Sequence, residues 1–492
     1  MEKVYSKSKK GFVWTVISNG LQGGLGFLTL LVLTYVLGVE KMGIISILGV
    51  IYGLSETVVQ FGLSRSIISR EKTTDKELTS IFWTNLGIGF VVFLAVNLLA
   101  DIIAQLYDQP DMGGYIKVLS IIFLVEPLDL VFRAVLEREL EFARLQKVKM
   151  FRFVFQAILI ITLVLLGFGV ISYVYGIIAA TALSAITFLI IFLRNNLWVP
   201  SLHFKLSDIK EHYSFGAYVT GKSFLNYMGR HFDELIVGAV LGVEPLGIYY
   251  FAKKVVERPM QLFVRSFSKV SFPMFSKLKS KLEKMTKAYF NLMHAVSSVG
   301  FLIFGSMIVF APLLIPLIFG EEWVESIFLI QVFSLTAFLD VISAGFSSPI
   351  LYVFRDPKYN FKVDLFMTPF RLLLIFLASL ISIEAVVITF FLVVIFKVLL
   401  LQNRVNHYLK IDFGRFFKNL QNPLQNVFLS LLISGLFFLL FDRIYPELRY
   451  IVLPLIFLIT YGLFLWFRER DQIYYIKDEV LKETKNGKKK SK

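Results

Sequence analysis

The 492-residue chain contains no cysteine and only five histidines. Without cysteine there is no disulfide framework, no thiolate metal site and no thiol nucleophile. His203, His212, His231, His294 and His407 are too scattered to make a metal-ligating pair, and no Ser-His-Asp arrangement can be assembled from them. No cofactor is therefore expected. Charge is scarce as well, at 18% of residues against the roughly 25% usual in soluble domains. Apolar residues take its place at 56%, and they come in runs of about 20 with little between them. The mean hydropathy of +0.70 follows. These values exclude a soluble globular enzyme and a disordered basic protein. The formal charge of +15 does not point to nucleic acid, because the basic residues fall between the apolar runs, where they report topology.

Fourteen segments are long and apolar enough to span a bilayer, from 11–38 and 43–69, through 114–136, to 424–441 and 449–467. The segment after the basic stretch Met1 to Lys10 is long and has no small-residue cleavage site, so it reads as the first span and not as a removed signal. Alternate connections are rich in Lys and Arg, as at Arg70/Lys72/Lys76, Arg138/Arg144/Lys147/Lys149 and the tail ending at Lys492. The intervening ones, such as Glu40-Lys41, Glu244 and Glu321-Glu322, are short and acidic or neutral. The bias places both termini in the cytoplasm. The stretches 194–213, 269–287 and 404–423 are amphipathic, as Phe204, Leu206, Ile209 and Tyr213 illustrate, and are expected to be interfacial helices in contact with membrane lipids. The expected fold is an all-α polytopic membrane protein.

Val36-Leu37-Gly38-Val39-Glu40-Lys41-Met42-Gly43-Ile44 returns as Val240-Leu241-Gly242-Val243-Glu244-Pro245-Leu246-Gly247-Ile248, with seven of nine positions identical at an offset of 204. Each copy lies between the first two spans of a set of six. Six is even, so the sets run in the same sense, as a parallel repeat about an axis along the membrane normal. The expected organisation is a six-helix lobe over 1–198, an amphipathic linker over 199–213 and a second six-helix lobe over 214–408. Two additional spans over 409–467 and a basic tail over 468–492 complete it.

Ionisable residues inside spans cost ~2.5–3.5 kcal/mol each, so they need partners or a wet cavity. The first lobe carries Glu56, Asp101, Glu126, Asp129 and Arg133. Asp129 and Arg133 are spaced i, i+4 and should pair. Glu126 precedes Pro127, which frees a backbone carbonyl; with Glu56 these residues are the candidate ion-coupling set. The seventh and eighth spans carry Lys222, Arg230, Asp233, Glu234, Lys253, Lys254, Glu257, Arg258 and Arg265, three net positive charges that suit an anionic ligand. Lys222, Asn226, Arg230 and Asp233/Glu234 share one helix face. At the repeat offset, Lys253, Lys254, Glu257 and Arg258 correspond to Gly49, Val50, Gly53 and Leu54, so the fold itself does not require these charges. Elsewhere the spans hold Asp340, Arg371 and Lys397.

Gly216 to Ser223 matches the phosphate-loop pattern G-x-x-x-x-G-K-[ST]. That chemistry needs a strand, a glycine-rich loop and then a helix; here the match runs directly into an apolar span, so it is discarded.

The stretch from Asn226 to Gly238, with Leu241-Gly242, Leu246-Gly247-Ile248-Tyr249 and Ala252, resembles the polysaccharide flippases of the multidrug/oligosaccharidyl-lipid/polysaccharide superfamily. Phe272-Pro273-Met274-Phe275-Ser276 and Gly320-Glu321-Glu322-Trp323 fit the same pattern, and Leu136 to Phe142 is similar to its lipopolysaccharide and teichuronic-acid branch. The resemblance implies a bacterial inner-membrane protein that moves a polyprenyl-diphosphate-linked oligosaccharide between leaflets by alternating access, alongside other polysaccharide export proteins. The family pattern carries an Arg and an Asp at positions matching Arg230 and Asp233. Depth and charge alone add Lys253, Lys254 and Arg258 to a diphosphate site, with Lys222 and Arg265 drawing the ligand in and Tyr249 and Tyr250 available to stack on sugar. The rivals are a multidrug cation antiporter of the same superfamily, a membrane glycosyltransferase or polymerase, and a non-transporting scaffold. The enzyme would normally bring a large outward loop, which this chain lacks.

Overall fold

A computed structural model describes residues 2–60, 62–69, 73–441 and 452–469. The expected tail beyond 469, the Asp442 to Glu447 turn and Arg70 and Lys72 lie outside the described residues. So do the side chains of Lys3, Lys7, Lys9, Lys10 and Arg265. Among the described residues every regular element is a helix and no strand occurs. Backbone packing separates two compact units, Met1–Phe251 and Ala252–Lys492. The first holds α1 (Glu2–Val59), α2 (Leu63–Ser69), α3 (Asp75–Leu106), α4 (Pro110–Ser120), α5 (Ile122–Val125), α6 (Pro127–Arg138), α7 (Phe142–Leu165), α8 (Ile171–Arg194), α9 (Leu206–Leu241) and the first turns of α10 (Val243–Leu278). The second holds the remainder of α10, then α11 (Leu282–Phe319), α12 (Ser326–Val353), α13 (Pro357–Ser379), α14 (Ile383–Leu409), α15 (Phe413–Phe441) and α16 (Val452–Glu469). Eight described helices are long and apolar enough to cross a membrane; the longest, Val13–Val59, is kinked into two arms at Gly38. The chain is a multi-pass membrane protein.

Two predicted spans are not continuous. The second, 43–69, is helical only to Val59, about 30 Å beyond Gly38 at 1.5 Å per residue and enough to cross the hydrocarbon core. A turn with Gly62 at φ 55° then starts α2. The fourth, 114–136, is divided into α4, α5 and α6, with Pro127 opening α6 because a proline at a first helical position gives up no hydrogen bond. The interfacial helix expected before the seventh span is also absent: Leu206 to Tyr213 are the first turns of α9 itself. What holds this stretch is a set of anchors to α3. Trp83 Nε1 donates to the Ser201 carbonyl at 2.8 Å, and Ser80 Oγ donates to Asp208 at 3.3 Å. The stretches 269–287 and 404–423 likewise belong to long helices, α10 with α11 and α14 with α15. Because α9 runs unbroken through Gly216 to Ser223, the phosphate-loop match has no loop.

The repeated nonapeptide turns at its first glycine in the same way in both copies. Gly38 sits at φ 76°, ψ 178° and Gly242 at φ 96°, ψ 174°, a region that only glycine enters readily. Gly320 ends α11 in the same way, at φ 90°, ψ −179°. The two copies also pack against each other reciprocally. A Cβ on Gly43 would lie 1.9 Å from the Val243 carbonyl oxygen, and a Cβ on Gly247 would lie 2.0 Å from that of Val39. Each turn therefore meets the equivalent backbone of the other about a local two-fold, at a distance only glycine allows.

In the second unit, α11, α15 and α16 are joined by a buried polar network. Glu469 accepts from Ser298 Oγ at 2.5 Å and Asn426 Nδ2 at 2.6 Å, and His294 Nε2 lies 3.4 Å away. At another corner, Asp356 caps α13 by accepting from the Tyr359 amide and also receives Arg404 Nε and the Tyr408 hydroxyl, both at 2.8 Å. Burial pulls the Asp356 carboxyl up, but the Tyr408 hydroxyl and Arg404 guanidinium outweigh it and hold it below the ordinary carboxylate range. A depressed carboxylate stabilises fully above its unfolded value, near ~3.9, and the contribution is lost as pH falls from there through the folded value. Asp356→Ala is expected to cost about 1 kcal/mol through the cap, read as a lower thermal midpoint at pH 7 that converges on the wild type in acid.

Candidate functional site

The candidate ion-coupling residues come together inside the first unit. Pro127 breaks the fourth span at Glu126, and α6 then carries Asp129 and Arg133 on successive turns of one face. Arg133 Nη2 lies 2.7 Å from Asp129 Oδ1 and 3.4 Å from Glu126 Oε1, so the pair expected from spacing forms and takes in a second acid. Ser184 of α8 donates to the other Asp129 oxygen at 2.9 Å, and the Tyr52 hydroxyl donates to Glu126 Oε2 at 3.3 Å. Glu56, one turn beyond Tyr52 on α1, lies beside Glu126 and accepts from Gln60 Nε2 at 2.9 Å. Glu126 and Asp129 are fully buried. Arg152 of α7 lies near Tyr52 and Glu56 and brings a second guanidinium. Three carboxyls and two guanidiniums thus share one site, an arrangement able to exchange a small cation or proton against a fixed positive charge.

Along α9 the predicted row divides by cover. Lys222, Asn226 and Arg230 are exposed, whereas Asp233 and Glu234 are each 1% exposed. The direction of the face barely changes over eleven residues; what changes is what lies over it. Ser46 of α1 donates to Glu234 Oε2 at 3.1 Å, and His231 Nδ1 lies 3.3 Å from Oε1. The Tyr249 hydroxyl donates to Asp233 Oδ2 at 2.6 Å. Tyr249 is fully buried by this contact and has no face to offer a sugar, contrary to the expectation; Tyr250 is half-buried.

In the second unit, Lys253 and Lys254 of α10 are 7% and 8% exposed. Lys254 Nζ lies 3.4 Å from Glu257, which also accepts from Gln261 Nε2 at 2.8 Å; Arg258 is exposed. Lys397 pairs with Asp364 at 2.8 Å, and Arg371 lies over the Phe390 ring at 5.2 Å. In the first copy of the repeat, the glycines at the positions of Lys253 and Glu257 have their own use. Tyr227 of α9 donates to the Gly49 and Val50 carbonyls at 3.3 Å, and a Cβ on Gly53 would meet its hydroxyl at 2.4 Å. Sequence reasoning missed Arg152, Tyr52, Ser46 and Ser184. Tyrosine and serine look like packing in an apolar run, and only Arg152 carried a charge that could have drawn notice.

The polysaccharide biosynthesis protein family matches residues 32–328 of the chain. The lipopolysaccharide biosynthesis protein WzxC of Escherichia coli (strain K12) is 30% identical over 371 residues, 74% of this chain and 73% of WzxC. The teichuronic acid biosynthesis protein TuaB of Bacillus subtilis (strain 168) is 24% identical over 288 residues, 58% of this chain and 59% of TuaB. Among solved structures, the lipid II flippase MurJ in an inward closed conformation aligns with a TM-score of 0.74 at 14% identity, over 94% of this chain and 99% of MurJ. An inward-facing multidrug resistance MATE transporter of the MOP superfamily aligns at 0.62 and 16% identity, over 79% and 96%. At these identities the two structures speak for the fold alone, an all-α membrane architecture of the kind that MurJ and the MATE transporter share.

Proposed function

Because the chain belongs to the polysaccharide biosynthesis protein family, we propose that it is a transporter, not an enzyme, and that it flips a lipid-linked oligosaccharide across the bacterial inner membrane by alternating access. In this reading both termini are cytoplasmic, the lobes are 1–198 and 214–408 joined by the 199–213 linker, and 409–467 is an addition to them. The observation that carries the ligand class is the unequal charge of the two repeat copies. Lys253 and Lys254 are buried lysines where the first copy has Gly49 and Val50. Lys254 keeps Glu257 as its partner, and over Lys253, Lys254, Glu257 and Arg258 the second copy sets three bases against one acid where the first copy has no charge, an excess that a diphosphate ester suits.

In this reading the diphosphate meets the exposed Arg230 and Lys222 of α9 and, on α10, the buried Lys253 and Lys254 and the exposed Arg258, with Arg265 farther along the helix. Asp233 and Glu234 hold the surrounding hydroxyls and imidazole in place. The prenyl tail remains in lipid, and the Glu56, Glu126, Asp129 and Arg133 site couples the movement to an ion. Arg230→Gln combined with Lys254→Gln should lower glycan export by about 100-fold or more, from two charge-assisted contacts at ~1.5–3 kcal/mol each. The measurement is export in cells lacking their own flippase, at equal membrane levels of protein. Export at the wild-type rate would remove the assignment of these residues.

The buried carboxylates of the first unit favour a second reading, antiport of an organic cation. Arg133 already compensates two of them, which leaves less charge for a large cation. Drug resistance conferred on pump-deficient cells, without glycan export, would select that reading.

A further inference from the structure

The first unit contains a cavity of about 440 Å³ that none of the residues proposed for the diphosphate lines. It lies among the end of α1, α2, α6, the first turns of α7 and the first half of α9, at the end of the helices that the Lys/Arg bias assigns to the cytoplasm. Three cations line it, Arg65, Arg133 and Lys149, against one acid, Glu137. The hydroxyls of Ser64, Thr220 and Ser223 line it too.

The wall is poorly matched to itself. Ser64 Oγ, Thr220 Oγ1 and Arg133 Nε are buried and have no hydrogen-bond partner among the described residues. Leaving a buried polar atom unpaired costs about 1–3 kcal/mol, so these lining residues gain by turning toward a guest made of acceptors. Arg133, which lines the cavity, commits Nη2 to Asp129 and Glu126. Lys149 Nζ lies 3.9 Å from Glu137, too long for a hydrogen bond, so that cation is loosely held. Arg65 is exposed and lines the cavity. Thr220 and Ser223 belong to the discarded phosphate-loop match. As residues i and i+3 of a continuous helix they face the cavity together, while Lys222 between them is exposed elsewhere. A phosphate ester is acceptor-only, anionic and small enough for the space, and suits both the hydroxyl-bearing residues and the three cations that line it.

We propose that this cavity docks the diphosphate of the lipid-linked substrate on the cytoplasmic side, before the cations of α9 and α10 engage it. The inference rests on the flippase reading above and adds to it a first binding position. It is tested on the full chain in detergent micelles, in an Arg230→Gln/Lys254→Gln background that removes the later contacts, with farnesyl diphosphate as probe. This protein should still bind the probe, inorganic diphosphate should compete, and phosphatidylglycerol in mixed micelles should not. Adding Arg65→Gln and Lys149→Gln should weaken binding by at least about tenfold. Arg65→Lys with Lys149→Arg, which keeps both charges, should restore most of it. Thr220→Val with Ser223→Ala, which leaves every ion pair intact, should weaken it without lowering the thermal midpoint.

Unchanged affinity in the glutamine variants and in the hydroxyl variants would overturn the proposal. Equal competition by phosphatidylglycerol would also overturn it, by assigning the cavity to ordinary membrane lipid. The two readings fail separately. Wild-type glycan export together with undiminished probe binding in the Arg65/Lys149 variants sinks the docking site alone. Cavity-dependent binding in a wild-type protein that exports no glycan sinks the flippase reading and leaves a diphosphate site.

Discussion

Gly43→Ala and Gly247→Ala should each sharply reduce the amount of folded protein recovered from membranes. A Cβ at Gly43 would stand 1.9 Å from the Val243 carbonyl oxygen and 2.8 Å from its carbon; at Gly247 it would stand 2.0 Å from the Val39 oxygen and 2.9 Å from its carbon. Overpacking a core by a methyl group typically costs ~1–3 kcal/mol when side chains can give way. Here the obstacle is backbone on both sides, so the cost should exceed ~3 kcal/mol, a large share of total stability. Gly20→Ala and Gly24→Ala on the first arm of α1 are the controls, since nothing lies within 4 Å of their added Cβ. They should gain up to about 1 kcal/mol from helix propensity. Monodisperse yield on gel filtration and thermal midpoint report the contrast. Wild-type values for Gly43→Ala would mean that the two turns do not meet as described.

Arg133→Ala is the second substitution with a large expected effect. It leaves the fully buried Glu126 and Asp129, and the half-buried Glu56, without the guanidinium that bridges two of them. Removing one partner of a buried ion pair costs ~3–5 kcal/mol, because the remaining charge is stranded. Adding Asp129→Ala should recover part of the loss, since the stranded charge goes with it. A double-mutant cycle on the thermal midpoint would read a coupling of the order of 1 kcal/mol or more. Additive losses would show that Arg133 and Asp129 act independently, against the 2.7 Å contact. Export separates support from function: Glu126→Gln, nearly isosteric, should insert and fold yet transport poorly if the site couples an ion. Because Arg133 serves this cluster as well, the docking-cavity test rests on Arg65 and Lys149.

Local signals in the sequence were reliable where one residue type dictates one geometry. Gly38 and Gly242 mark helix ends because only glycine accepts their φ, and Pro127 marks a break because proline cannot continue the ladder. Asp129 and Arg133 pair because four helical residues bring them face to face. Partners distant in sequence left no such trace. Ser46 and Glu234 are 188 residues apart, and Ser298 and Glu469 are 171. In both pairs an ordinary serine becomes a necessary donor only when packing delivers it to a buried carboxylate. Tyr249 shows the same limit from the other side, since its spacing was compatible with a sugar platform and the fold committed it to Asp233.

Composition and residue order were enough to establish a chain that crosses the membrane repeatedly, contains a duplicated turn and carries an uneven distribution of charge, because each of these is a property of runs, periods and identities. Which charges are covered was decided only by tertiary packing. Lys222, Arg230 and Asp233/Glu234 occupy one face, and the sequence treats them alike; Ser46 and Tyr249 bury the acids and leave the cations open. The same packing encloses Ser64, Thr220 and Arg133 around one cavity, although they belong to three different helices. Burial depends on neighbours brought from elsewhere in the chain, and no helical period records them.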